Sequence, residues 1–487
     1  MNSPYARTHA DSHPQAQAPA HTLALDIGVR YARLAVARPG AGPPCPVSLP
    51  GDLPGEGLPL SAAVRGRPID ALREAYGAYL ARYGPPAGAV VVLPRRSARE
   101  LAGLATAALT ADGCPRARAI GTAHALLALV RHTAGGTADA GEYLVCDVGA
   151  RAVDAARCTL AGSSVLLHAT AEATGPSGLL GTALDASLLA AAGLSDDEEG
   201  HRALAAARRD DPGGRRLGLS VAQAMSRPDP FDDTVVYRLA DRDITAGTVR
   251  TSLPPLVDAV RRALSEIAAP PGGTRPPPLL LAGGLARLQP LIKQLGESHR
   301  LLPLPPEVDP GYAAAAGGAL VAAGLADPGD RYPYAVRIST HSRTAGRLRT
   351  EELQLSAPGA LEPGGDTVFA VRAGRPAEVL PDAAARRPLR VEAVGPDGRP
   401  VPLPDITLPT GVPDGLCRVG VRVGADGTAA LVLRPVAAGP IADDLVAAGP
   451  IADDLVAAGP IADDRVADGP DTETRVPLGP LPVPPET

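Results

Sequence analysis

A chain of 487 residues is too long for one ordinary domain, and with 45% apolar residues it can bury a sizeable core. It has no Trp and only two Phe, so Leu, Val, Ala and Ile must do the packing, while 54 Gly and 54 Pro demand many turns. The net charge of −6 is concentrated in residues 436–487, where ten acidic residues stand against two Arg; the rest is close to neutral, which excludes a basic surface for nucleic acid.

In chain order, residues 1–21 are polar with Pro and His and are expected to form a disordered N-terminal tail. Residues 22–37 read as strand, glycine turn, strand, and 39–68 as a Pro- and Gly-rich loop. The 3.6-residue spacing of Leu72, Tyr76, Tyr79 and Leu80 predicts a helix over 69–82. The apolar run 89–93 has strand length and stops at Pro94; helices are expected over 97–111 and 122–131. The pattern then restarts. Residues 142–160 are again strand, glycine turn, strand, with a further strand over 163–171. Helices over 183–192, 202–209 and 256–267 lead to a strand over 279–282 and helices over 286–296 and 312–324. Two halves that each open on an Asp-bearing hairpin predict an α/β fold of duplicated lobes around a cleft, spanning 22–326.

After Pro328 the character changes. Short Val/Leu/Ile runs separated by Pro-Gly, Gly-Gly and Asp-Gly turns predict a small all-β domain over 331–435. From Val436 the decapeptide VAAGPIADDL recurs, predicting a disordered, low-complexity acidic tail over 436–487. The five Cys form no CxxC and no Cys/His cluster, so a zinc site is not expected and a reducing cytoplasm is. No signal pattern opens the chain, and the longest apolar run, 313–326, is too short to span a bilayer, so no membrane partner is expected.

Three elements carry the chemistry. The first hairpin holds Asp26-Ile27-Gly28-Val29 and the second Asp147-Val148-Gly149-Ala150, with Asp154 further along its return strand. In each, Gly allows a tight turn whose N–H groups can face a phosphate, and the Asp can hold water on a Mg²⁺ ion. The third, Leu281-Ala282-Gly283-Gly284 followed by Arg287, is a buried strand entering a helix through Gly-Gly. There a purine can approach the backbone, and the Arg287 guanidinium can stack on it.

Together the three elements resemble the phosphate-1, phosphate-2 and adenosine motifs of the actin-like ATPase superfamily, and most closely the heat-shock protein 70 family. Val90-Val91-Val92-Leu93-Pro94 resembles that family's "TVPA" strand, residues 120–126 and 309–319 its two connecting helices, and Leu180 to Asp185 its "GGEDFD" segment. Arg216 and Ser220 fall where the family contacts the nucleoside. The resemblance covers about 23–325, with a weaker match to the chaperones' β-domain at 411–413 and 421–428. It implies ATP or ADP with Mg²⁺, held by Asp26, Gly28, Asp147, Gly149, Arg216, Ser220, Gly283, Gly284 and Arg287. Asp26 and Asp147 would reach the metal through water. It also implies a β-domain that takes up unfolded or extended protein segments.

The departures are equally specific. Val29 and Ala152 replace the family's phosphate-binding Thr residues, Ala150 and Arg151 replace two glycines, and Ile120 stands where its catalytic carboxylate belongs. The only Lys is Lys293, so the family's catalytic lysine between the first hairpin and Pro94 is missing. Asp26, Asp147 and Asp154 remain as catalytic candidates, and slow or absent hydrolysis is expected. A catalytically silent scaffold that recruits a protein partner is the alternative, and a small-molecule kinase of the same superfamily ranks last. His124 reads as a tolerated cleft or core residue, Cys146 as core, and Arg95-Arg96 as a solvated turn. Residues 325–331 read as a polar linker with little apolar area to dock.

Overall fold

The computed structural model describes residues 21–38, 42–53, 55–133, 141–161, 164–175, 180–209, 211, 214–239, 241–268, 276–344, 347–372, 375–381, 389–395, 398–409, 412, 415–424, 427–436 and 473–482. The fold is mixed α/β. In chain order it opens with β1 (Thr22–Ile27), β2 (Tyr31–Ala37), β3 (Cys45–Pro46), β4 (Leu58–Pro59), α1 (Pro68–Tyr83), β5 (Ala89–Leu93), α2 (Arg95–Ala111), β6 (Ala117–Gly121) and α3 (Thr122–Thr133). Then come β7 (Gly141–Val148), β8 (Ala152–Ala161), β9 (Ser164–Thr174), α4 (Leu180–Ala191), α5 (Glu198–Arg209), α6 (Arg215–Ser226) and α7 (Pro228–Phe231). A hairpin of β10 (Val235–Leu239) and β11 (Arg242–Thr245) precedes α8 (Ala246–Ser252), α9 (Pro254–Glu266) and β12 (Leu279–Ala282). A 3-10 turn (Gly284–Arg287), α10 (Gln289–Gly296), β13 (Leu301–Leu302) and α11 (Ala313–Ala322) complete this part.

Two sheets share one strand order. The first runs β3-β2-β1-β5-β6 and the second β9-β8-β7-β12-β13. In each, an antiparallel hairpin is extended on its first strand by two parallel strands. The period-2 alternation of strand side chains decides which face each residue buries. Ala89, Val91 and Leu93 of β5 pack outward with α1 and α2, whereas Val90 and Val92 pack inward. Likewise Leu279 and Leu281 of β12 face the outer helices, and Leu280 and Ala282 the interior. The interior between the sheets is filled by α3 and α11. These helices approach closely because α11 is built of Ala and Gly: a Cβ on Gly317 would lie 1.9 Å from the Ala125 carbonyl oxygen. His124 and Cys146 are buried, as expected.

Four expectations need correction. Arg95-Arg96 is not a turn: α2 begins at Arg95, with extended Pro94 immediately before it. The helix expected over 286–296 breaks into a 3-10 turn and α10, because Pro290 belongs in a first turn and restarts the helix. The linker is docked, through polar groups: Gly329 O accepts from Val165 N at 2.8 Å, Asp330 takes a 2.6 Å ion pair from Arg118, and Leu325 and Ala326 pack on the interior core. Finally, the C-terminal segment is not tail throughout. Residues Thr474–Pro480 form a strand.

That strand completes the β-domain. Its first sheet runs β15 (Arg347–Ser356), β14 (Ala335–Thr344), β20 (Val391–Val394), β21 (Pro400–Pro402). The second runs β16 (Val368–Phe369), β22 (Cys417–Val423), β23 (Thr428–Pro435), β24 (Thr474–Pro480), with β19 (Glu378–Val379) also on β22. A two-stranded ribbon joins β17 (Val371–Arg372) to β18 (Arg375–Pro376). β24 buries Val476 and Leu478 in the sandwich core, and Arg434 ties its root to Glu473 at 2.5 Å. The decapeptide repeats and residues 1–20 lie outside the described residues. Among the described residues no helix is long and apolar enough to cross a membrane.

Candidate functional site

The parity of the strands places the Asp residues. Leu23 and Leu25 of β1 pack outward, which turns Asp26 toward the interior; Leu144, Cys146 and Val148 of β7 do the same for Asp147. Each strand then enters a tight turn. Gly28 N–H donates to Tyr31 O at 3.0 Å, and Gly149 N–H to Ala152 O at 3.0 Å. A Cβ on Gly28 would stand 2.8 Å from Tyr31 O, so the turn closes only on glycine.

The third element meets the second hairpin edge on, with Ala282 beside Asp147 across β12 and β7. Gly283 has φ +97, and a Cβ there would lie 2.2 Å from Asp147 Oδ1 and 2.5 Å from Val148 O. Only glycine combines that dihedral with that approach. Gly284 faces the other way, toward the Arg33 guanidinium, whose Nη2 lies 2.8 Å from where its Cβ would be.

These elements surround a cavity of about 460 Å³. Asp26, Gly28, Asp147, Gly149, Asp154 and Gly284 all line it. One side is apolar, lined by Leu72, Val91, Leu93, Leu101 and Ala105 of α1, β5 and α2. The first turn of α4 abuts the second hairpin: Leu180 N and Thr182 N donate to Arg151 O and Ala150 O at 3.0 and 2.9 Å. Gly181 allows this contact, since a Cβ there would be 2.9 Å from Gly149 O.

Burial raises the Asp26 carboxyl to about 7, with Arg33 pulling it back and Asp147 pushing it further up. Burial likewise raises Asp147, again opposed by Arg33. Both acids therefore hold protons more tightly than a surface aspartate.

The expected nucleoside side is arranged differently. Arg216 is exposed and Ser220 buried on α6, and neither lines the cavity. There α6 packs flush on the start of α10, where a Cβ on Gly218 would lie 2.6 Å from Gln289 Cβ. Arg287 also stays out of the cavity lining. Its Nε donates to Asp309 Oδ1 at 2.8 Å, its Nη1 to Glu56 Oε1 at 2.8 Å, and its Nη2 to Gly55 O. The side chain expected to stack on a base is a strap from the 3-10 turn to the loop of Gly55 and Glu56.

Sequence reasoning missed Arg33, Glu56 and the Arg208–Asp185 pair at 2.5 Å, all of which line the cavity. Arg33 had a signal: in a hairpin turning at Gly28 it must fall opposite Asp26, and it does. Glu56 had none, because it sits in the Pro- and Gly-rich loop. Among the described residues no group of three or more His, Cys, Asp or Glu is placed to hold a metal ion directly. No protein-family model matches the chain, and no curated protein matches it.

Proposed function

We propose that the chain is an ATP- or ADP-binding protein of actin-like architecture, similar in design to the heat-shock protein 70 chaperones, that hydrolyses nucleotide slowly or not at all. One observation carries the reading. Two glycine turns from equivalent hairpins, with Gly284 of the third element, converge on a single cavity of a size usual for ligand sites. The shared strand order of the two sheets and the placing of α3 and α11 between them support the actin-like architecture. Arg30, Arg33 and Arg151 line the cavity and supply cationic donors for phosphate oxygens. A cytoplasmic setting and a β-domain that takes extended protein segments belong to the same reading. Strand addition at β23 is not available to such a segment, because β24 covers that edge.

The alternative, a catalytically silent scaffold that recruits a protein partner, draws support from the Arg287 strap, which ties Glu56 of the first lobe to the nucleoside side of the second. Calorimetry with ATP and ADP tests the first reading on wild type and Ala150→Trp, which fills the cavity at the second turn. Binding weakened at least tenfold by the substitution is expected, with turnover below about 1 s⁻¹. Absence of binding at millimolar nucleotide, or binding indifferent to Ala150→Trp, refutes it.

A further inference from the structure

Register sets Arg33 directly opposite Asp26 on β2, in the place that Asp154 takes opposite Asp147 on β8. Only 12% of its side chain is exposed, Nη2 lies 3.8 Å from Glu56 Oε2, and Nη1 lies 4.0 Å from where a Cβ on Gly28 would be. The guanidinium thus reaches from the first glycine turn to Gly284, and its charge acts on both Asp26 and Asp147. Its Nε is buried with no hydrogen-bond partner.

We propose that the Arg33 guanidinium holds the place of a divalent cation in this cleft, so that a phosphate-bearing ligand binds without metal. The donor set argues against Mg²⁺ here. A divalent ion shared by water between Asp26 and Asp147 would stand beside a fixed positive charge in a poorly screened site. Two carboxylates already offset by a guanidinium have less negative charge to offer it. The guanidinium instead supplies what the metal would: a localised positive charge and several directed donors for phosphate oxygens, with no water shell to shed. Arg33 is then a ligand-specificity residue. It selects free over metal-complexed phosphate groups.

The ligand half of the proposal rests on the nucleotide reading above; the metal half does not. The test therefore has two arms on the full chain. In the first, Mn²⁺ is titrated and followed by the resonance of the free ion. Wild type is expected to show no site that Asp147→Asn removes, whereas Arg33→Met gains one, removed by adding Asp147→Asn. In the second, ADP and pyrophosphate affinities are measured with excess Mg²⁺ and with EDTA. Wild type is expected to bind at least as tightly in EDTA as with excess Mg²⁺; Arg33→Met is expected to weaken at least tenfold in EDTA and to recover with Mg²⁺. A wild-type Mn²⁺ site lost in Asp147→Asn, or a tenfold loss of wild-type ADP affinity in EDTA, overturns the proposal. Should neither ADP nor pyrophosphate bind under any condition, the nucleotide reading falls while the Mn²⁺ arm still decides the place of Arg33. If Arg33→Met fails to fold, the wild-type measurements decide alone, with Arg33→Lys expected to exclude Mn²⁺ as wild type does.

Discussion

The first and second hairpins of the cleft run in step, residue for residue. Asp26 matches Asp147, Gly28 matches Gly149, and each glycine N–H closes its turn on the carbonyl three residues on. They part at the cross-strand position, which is Arg33 in one and Asp154 in the other. A carbonyl oxygen beneath each turn crowds a Cβ, at 2.8 Å for Gly28 and 3.3 Å for Gly149, which favours glycine at both. The position opposite the aspartate faces the cavity and carries no backbone requirement, so its charge is open to change. In this protein the difference makes one wall of the cleft cationic and leaves the other acidic.

The largest test of that comparison lies in the Gly-Gly turn, whose two glycines face different hairpins. Gly283→Ala would force φ +97 on an L residue and drive a Cβ into Asp147 and the Val148 backbone. Neither can yield cheaply, and a loss of about 3 kcal/mol or more is expected. Gly284→Ala meets only the far end of Arg33, at 2.8 Å, which can swing away. Its expected cost is about 1 kcal/mol or less, on the scale of one hydrogen bond. Urea denaturation of the two variants decides; equal losses would mean that Arg33 is as fixed as the second hairpin's backbone.

Much of this arrangement was legible in the sequence. The strands that carry Asp26 and Asp147 were visible as alternation around a glycine, and the Leu279–Ala282 run as a buried strand. What stayed hidden has physical causes. Glu56 reaches the cleft from a loop whose path depends on tertiary contacts with β2 and Arg287. Helices α7 and α8 are too short for a clear period. β24 is short and interrupted by Pro477 and Gly479, which an edge strand tolerates because one side of its ladder is unpaired. Its two core residues, Val476 and Leu478, alternate over too few positions to stand out after a long repeat.

A pH titration of stability sharpens the electrostatic half of the comparison. Asp26 sits near 7 in the folded chain against an ordinary value of 3.8. A group whose value is raised by folding stabilises the native state at low pH and loses that contribution as pH rises through its folded value. The loss should therefore fall between about pH 4 and pH 7. Asp26→Asn removes it, so the variant should match wild type near pH 4 and exceed it at pH 8. A gain of about 2 kcal/mol is expected, roughly half of what the full shift is worth, because the group keeps some contact with water. Asp147 is raised in the same direction, and Asp147→Asn should flatten the curve too. Were Arg33 to serve Asp26 alone, Asp147→Asn would flatten the curve more than Asp26→Asn does.

The smallest difference lies in the turns themselves. Neither Gly28 nor Gly149 has a left-handed φ, so an alanine at either is limited by space alone. At Gly28 the new Cβ would lie 2.8 Å from Tyr31 O, the atom that accepts the turn's own hydrogen bond, and backbone rather than a flexible side chain must move. At Gly149 the matching distance to Ala152 O is 3.3 Å, which a shift of a few tenths of an ångström relieves. Alanine also restricts the unfolded chain, a stabilising effect of about 0.4–1 kcal/mol common to both sites. At Gly149 this should offset the crowding and leave stability nearly unchanged. At Gly28 the turn must open and weaken its hydrogen bond, for a net loss of about 1 kcal/mol. Matched denaturation curves measure the difference directly. An equal cost at both positions would show that the second turn is as tightly closed as the first, and that the two hairpins differ in charge but not in the room beneath their turns.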